Sequence, residues 1–149
     1  MEGINILDEY KDIVKREGNR VSGTHCGFET RVVRSCLGHL CGYVGVPEGH
    51  TAFGVHYDDE VFNNVMVHGG LTYSDHFDAY EECDNHRMWY LGFDTAHVGD
   101  LSIYDVPYHN VDRTGDVYRD MEYVKNQVDS LAEQLAAIDN RLLVGEVTA

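Results

Sequence analysis

The stretch RMWYLGFD, residues 87–94, decides the fold because its side chains alternate between two environments. Successive side chains of an extended chain point to opposite faces of a sheet. Trp89, Leu91 and Phe93 therefore share one apolar face, and Asp94 lies on the opposite face. This pattern is typical of a strand that covers a core and presents a polar group where it ends.

A second apolar stretch, VMVHGGLTY at residues 65–73, runs into polar groups in the same way. It predicts another strand, in which the valines share one face and His68 lies on the other. Gly69 and Gly70 cost backbone entropy in a regular strand, so they need a reason to be there. Polar groups and glycines at the ends of two core strands indicate a functional site.

Two further strands and a helix are predicted upstream of these stretches. Residues 5–17 have the apolar spacing of a helix, which ends at Gly18. Residues 28–35 alternate as a strand, residues 36–39 turn the chain back, and residues 40–46 complete a hairpin.

The end of the chain predicts a long helix. Its apolar residues recur at alternating spacings of about 3 and 4, which places them on one stripe; they are Met121, Val124, Val128, Leu131, Leu135, Ile138 and Leu142. The stripe packs on the sheet in one interpretation. In the other, part of it pairs with a second copy of the chain, which makes a homo-oligomer.

This order of elements predicts a single α+β domain over residues 1–149. An N-terminal helix occupies residues 1–18, a four-stranded, mostly antiparallel sheet with the polar site occupies residues 27–100, and the C-terminal helix occupies residues 116–143. Both helices are expected to pack on one face of the sheet.

The charge of the chain excludes nucleic acid as the main ligand. The formal net charge is −15, with only 11 Lys and Arg residues to neutralise phosphates. The strong acidity is also compatible with a simple role in solubility or adaptation to salt.

The sequence also predicts a cytoplasmic protein. It has no apolar run long enough to span a membrane, and its first residues lack the basic and apolar regions of a signal peptide. The four cysteines have no CxxC spacing, so we expect reduced thiols rather than a structural zinc site.

Four motifs together resemble a functionally uncharacterised family of small bacteriophage and prophage proteins. They are CGYVGVP at 41–47, HGGLTY at 68–73, GFDxAHxGD at 92–100 and YRDxEYV at 118–124. Tyr90 and Thr95 depart from that family, whose members tend to carry a tryptophan and a cysteine there. The resemblance implies a phage accessory protein in the host cytoplasm, in a context where such proteins often act against host defence. It implies no particular activity.

The candidate chemistry centres on His68, Asp94, His97 and Asp100. A histidine beside a carboxylate forms an acid–base pair, because the carboxylate raises its basicity and fixes its tautomer. In the plainer interpretation, Asp94 caps a turn and His97 donates to a backbone carbonyl. No dedicated metal-ligand motif is present, so no cofactor is predicted, with a divalent metal left as an alternative.

The candidate ligand-binding groups surround these four residues. Backbone N–H groups at glycines can hold a phosphate, hydroxyl groups can bond a sugar, and tyrosines can stack on a planar base. Two arginines on one predicted strand, Arg31 and Arg34, add positive charge, although their spacing places them on opposite faces of that strand. The additional residues are Arg31, Arg34, Tyr43, Gly69, Gly70, Thr72, Tyr73 and Tyr90.

Three functions of different classes follow from this set. The first is capture of a small nucleotide-derived ligand. The second is hydrolysis of such a molecule by His68, Asp94, His97 and Asp100. The third is an acidic protein that blocks a host protein or mimics DNA. Binding ranks first because no recognised catalytic motif is present.

Overall fold

The computed structural model describes residues 6–105 and 115–148. Besides two short 3₁₀ helices, the described residues form two α-helices and seven strands, in this order: α1 (Ile6–Glu17), β1 (Arg20–His25), β2 (Phe28–Arg34), β3 (Leu40–Pro47), β4 (Tyr73–Asp75), β5 (Phe77–Asp78), β6 (Cys83–Asp84), β7 (Met88–Asp94) and α2 (Met121–Thr148). The predicted α+β class is confirmed.

Five strands form the main sheet in the order β1-β2-β3-β7-β4, and every neighbouring pair is antiparallel. The predicted sheet had four strands and omitted β1. That strand lies at the edge of the sheet and its side chains are mostly exposed. It therefore lacks the apolar alternation from which a strand can be recognised in a sequence.

The prediction of a strand over residues 65–73 is wrong. Residues 65–72 form no regular strand, with a turn at His68 and Gly69, and β4 begins only at Tyr73. Gly69 and Gly70 have φ angles of +70° and +81°, and the Gly70 N–H donates to the Val67 carbonyl oxygen. Two successive residues in the left-handed region cannot continue a strand.

The face of the sheet that carries Leu91 and Phe93 packs against α2, as the alternation in β7 predicted. A Cβ added to Gly42 of β3 would lie 2.5 Å from Val128 of α2, so glycine allows the helix to approach closely. The apolar stripe of α2 is buried on the sheet from Val124 to Ile138. Leu142 lies beyond the described side chains, and pairing with a second copy stays a prediction.

Helix α1 does not share that core. It packs beside the segment that follows the sheet, where Val14, Leu101 and Ile103 form a second apolar cluster. The expectation that both helices cover the main sheet is therefore wrong for α1. Within the described parts of the chain, no helix is both long and apolar enough to cross a membrane.

Candidate functional site

A buried carboxylate, Asp100, organises the polar groups at one end of the sheet. Its Oδ2 lies 2.7 Å from His68 Nε2 and accepts from the His97 backbone N–H at 3.1 Å, while its Oδ1 accepts from Arg119 Nε at 3.0 Å. Burial acts to raise the pKa of Asp100, but the hydrogen bonds from His68 and Arg119 outweigh it and hold the pKa below its usual value. Asp100 is therefore a carboxylate that only accepts.

His68 is held between two partners. Its side chain is 12% exposed, and Nδ1 lies 2.7 Å from the Tyr123 hydroxyl oxygen. Because Asp100 only accepts, Nε2 of His68 carries the ring proton. In the neutral imidazole, Nδ1 then accepts from the Tyr123 O–H. The result is a continuous chain of hydrogen bonds from Asp100 through His68 to Tyr123.

Asp94 and His97 form the more open part of the site. His97 Nε2 lies 3.1 Å from Asp94 Oδ1, and the two side chains are 34% and 33% exposed. The two atoms are within ion-pair distance, but their geometry is not that of a hydrogen bond. Nε2 is buried and has no hydrogen-bond partner among the described residues. Asp94 also accepts from the Ala96 N–H at 3.1 Å, as the turn-capping interpretation expected, and from the Thr72 hydroxyl at 3.4 Å.

Gly69 makes room for the His97 ring. A Cβ added at Gly69 would lie 2.2 Å from His97 Nε2 and clash with it. Gly70 has open space at the same position, and its N–H is used inside the turn by Val67. That N–H is therefore already bonded within the protein and is not free for the phosphate that the sequence suggested.

Tyr43 and Tyr73 lie on the sheet face opposite α2, beside this open part. Their rings meet edge to face with centroids 5.1 Å apart, and the Tyr43 ring lies over Gly92, where an added Cβ would be 2.5 Å from it. Burial, with the neighbouring Asp75, raises the pKa of Tyr73 to about 12. Burial also raises the pKa of Tyr43, so both phenols stay neutral and offer ring surface and hydroxyl groups. We call the whole set the histidine site; it comprises Tyr43, His68, Gly69, Thr72, Tyr73, Asp94, His97, Asp100, Arg119 and Tyr123.

Arg31 and Tyr90 lie elsewhere, in what we call the arginine cluster, which comprises Glu29, Arg31, Asp78 and Tyr90. The Arg31 guanidinium donates to Asp78 and Glu29, and the fully buried Tyr90 hydroxyl donates to the same two carboxylates at 3.0 and 3.1 Å. Burial, reinforced by the hydrogen bond to Asp78, raises the pKa of Tyr90. This cluster fastens the β5–β6 hairpin to the sheet.

Arg34 is on the opposite face of β2 from Arg31, as their spacing predicted. Its buried guanidinium bonds Asn19, Glu17, the Tyr118 hydroxyl and two backbone carbonyl oxygens. These contacts use its donors within the protein. The set predicted from the sequence thus falls in three places, and nine of its twelve residues lie at the histidine site or its turn.

Arg119 and Tyr123 of the histidine site, and Gln127 beside it, were not predicted from the sequence. Gln127 accepts the His68 backbone N–H at 2.9 Å, and the Arg119 guanidinium carbon lies 5.1 Å from the centre of the Tyr123 ring. Tyr123 and Gln127 are four positions apart and therefore share one side of the first turns of α2, and Arg119 lies two residues before the helix begins. This polar spacing beside the apolar stripe was the available signal.

In residues 6–105 and 115–148, no group of three or more His, Cys, Asp or Glu side chains is arranged to hold a metal ion. Comparison with protein families, with curated proteins and with solved structures gives no match for the chain. The resemblance to a phage family stays a prediction.

Proposed function

We propose that the protein binds and sequesters a small nucleotide-derived ligand at the histidine site. The observation that supports it most directly is the pair of Asp94 and His97, each about one-third exposed, with the His97 ring over Gly69 and two tyrosine rings beside the pair. A structural ion pair has no need of a glycine that clears space for an imidazole. Nε2 of His97 is buried and has no hydrogen-bond partner among the described residues, and a buried polar atom without a partner is uncommon in a purely structural network and is one mark of a functional site.

The parts of a nucleotide match successive groups of the site. Tyr43 and Tyr73 offer ring surface to a planar base, and Asp94 with Thr72 can bond sugar hydroxyls. Arg119 is 30% exposed and uses Nε on Asp100, while its Nη groups have no hydrogen-bond partner among the described residues. Those Nη groups suit one phosphate oxygen pair. The net charge of −15 disfavours a long polyphosphate.

Native mass spectrometry and calorimetry with a panel of nucleosides, cyclic nucleotides and ADP-ribose-type nucleotides test this proposal. We expect one of them to bind and to be recovered unchanged. Asp94→Asn keeps the turn-capping oxygen but removes the charge, so affinity falls about tenfold. Glu48→Gln, an exposed carboxylate at the other end of β3, is the matched control and leaves affinity unchanged.

Failure of every nucleotide to bind overturns the proposal. If a host protein co-purifies instead, and its binding survives Asp94→Asn, the acidic inhibitor replaces it.

A hydrolase of the same ligand is the second candidate function. It is favoured by the Asp100–His68–Tyr123 chain, which has the donor and acceptor order of an acid–base relay. Recovery of a converted nucleotide, with conversion lost in His68→Gln, would select it over sequestration.

A further inference from the structure

We propose that Tyr123 is the nucleophile of the histidine site and accepts a phosphoryl group from a phosphoester ligand, with His68 as its base. The proposal deepens the second candidate function, since it concerns the same site. It also has a test that needs no nucleotide, so its failure is distinguishable from failure of ligand binding.

The direction of the hydrogen bonds supports this role. Tyr123 O–H points its proton at His68 Nδ1 over 2.7 Å, and the Nε2–H of His68 is held by Asp100 over 2.7 Å. When Nδ1 takes the phenol proton, the ring becomes an imidazolium between a phenolate and a carboxylate. Asp100 is fixed in its charged form by Arg119 and the His97 N–H, so it stabilises that cation.

Arg119 supports the same charge distribution from the other side. Its guanidinium lies over the Tyr123 ring, with 5.1 Å between the guanidinium carbon and the ring centre. A cation over an aromatic face becomes more favourable when the ring system carries negative charge. Tyr123 is only half-buried, which leaves a path for a ligand.

Two other tyrosines with bonded hydroxyl groups, Tyr118 and Tyr90, lack such a base. The Tyr118 hydroxyl donates to Glu17 over 2.6 Å, and burial, with that hydrogen bond, raises the pKa of Tyr118. Tyr90 donates to two carboxylates. A carboxylate is too weak a base to take a phenol proton, and its charge opposes the phenolate. Among these three tyrosines, the imidazole partner belongs to Tyr123.

The reaction balances without any further reagent. Tyr123 Oη attacks phosphorus while its proton passes to His68 Nδ1; the phosphorus–oxygen bond to the leaving alcohol breaks, and that oxygen takes the proton back from His68. The products are a tyrosyl phosphoester and the free alcohol. Attack by water, with His68 again as base, releases the phosphate and restores Tyr123. If the water step is slow, the phosphoryl group stays on Tyr123 after the alcohol has left.

Benzenesulfonyl fluoride tests the nucleophile directly, because a phenol oxygen attacks its sulfur and displaces fluoride. The intact protein is treated at neutral pH, and the modified tyrosines are located by peptide mass spectrometry. We expect Tyr123 to react at least about 100-fold faster than Tyr118, or than the half-buried Tyr57 as reference, as general-base assistance implies. Tyr123→Phe removes the adduct.

His68→Gln separates base catalysis from structure, since an amide can accept the hydrogen bond but cannot take the proton. We expect a loss of about 100-fold in the rate at Tyr123, with the circular dichroism spectrum unchanged. If this variant does not fold, the wild-type comparison still decides: the preference for Tyr123 over Tyr57 must disappear in urea. A Tyr123 that reacts no faster than Tyr57 in the folded protein overturns the proposal.

Discussion

The histidine site and the arginine cluster are built from similar residue types and differ in one component. Each joins a tyrosine hydroxyl, a buried aspartate and an arginine. In the arginine cluster, Tyr90 donates directly to Asp78 at 3.0 Å. In the histidine site, an imidazole stands between Tyr123 and Asp100. The imidazole can exchange a proton near neutral pH and the carboxylate cannot, so one assembly fastens the fold and the other can do chemistry.

Their exposure differs in the same sense. Tyr90 is fully buried and Arg31 is nearly so, whereas Tyr123, Arg119 and His97 reach the surface. Groups that are fully satisfied and fully buried are typical of structural networks. The comparison therefore predicts that damage to the arginine cluster is seen in stability and damage to the histidine site in binding or reactivity.

The largest effect is expected from Arg31→Ala. It leaves the buried Asp78 without its guanidinium partner, and breaking a buried ion pair costs about 3–5 kcal/mol of unfolding free energy. Urea denaturation followed by circular dichroism measures it. The matched change Arg20→Ala removes an exposed arginine of the neighbouring strand and should cost less than about 1 kcal/mol. Equal losses in the two variants would refute the structural role of the cluster.

Removing each phenol oxygen compares the two assemblies most directly. Tyr90→Phe removes one buried donor from two carboxylates, which then depend on Arg31, and should lower the unfolding free energy by about 2 kcal/mol. Tyr123→Phe removes a neutral, partly exposed hydrogen bond and should cost about 1 kcal/mol. The same urea titrations measure both. A larger loss in Tyr123→Phe would mean that its hydroxyl is a structural element.

Substitution of two adjacent glycines tests whether the His97 ring packs against Gly69. Gly69→Ala and Gly70→Ala each put a Cβ on a residue with positive φ, but at Gly69 the added atom also meets the His97 ring. We expect Gly69→Ala to cost about 1 kcal/mol more than Gly70→Ala. It should also shift the His97 ring resonances in a proton–nitrogen NMR spectrum, and Gly70→Ala should leave them in place.

The smallest effect is expected in the decline of the unfolding free energy at low pH. The hydrogen bonds of Asp100 lower its pKa on folding, so they stabilise the protein above the unfolded pKa, near 4. That stability is lost as the pH falls through the folded pKa. Asp100→Asn should therefore make the unfolding free energy fall less steeply below about pH 4. The change in slope is at most about 1.4 kcal/mol per pH unit, because one proton is involved. Unfolding midpoints between pH 2 and 7 measure it, and an unchanged slope would contradict the assignment.

The sequence predicted those parts of the molecule that depend on local alternation. Trp89, Leu91 and Phe93 define the core face of β7, and the opposite placement of Arg31 and Arg34 follows from the same rule. The edge strand β1 carries little apolar alternation and was missed for that reason.

The site was only partly predictable for a related reason. Asp94, His97 and Asp100 are close in the sequence and stay close in the fold, whereas Tyr123 reaches His68 from α2, 55 residues away. The expected strand over 65–73 failed because two glycines with positive φ form a turn, and that turn delivers His68 to α2. Polar spacing along α2 can mark Tyr123, but a single sequence does not record which distant residue it contacts.

Glu17 has a consequence for the engineering of this protein. At the end of α1, it accepts the Met121 backbone N–H at 2.9 Å and the Tyr118 hydroxyl, and it pairs with Arg34. It therefore anchors the first turn of the helix that carries Tyr123. An affinity tag or fusion partner that pulls α1 away would loosen that turn. The reactivity of Tyr123, more than 100 residues after Glu17, therefore reports whether α1 is docked.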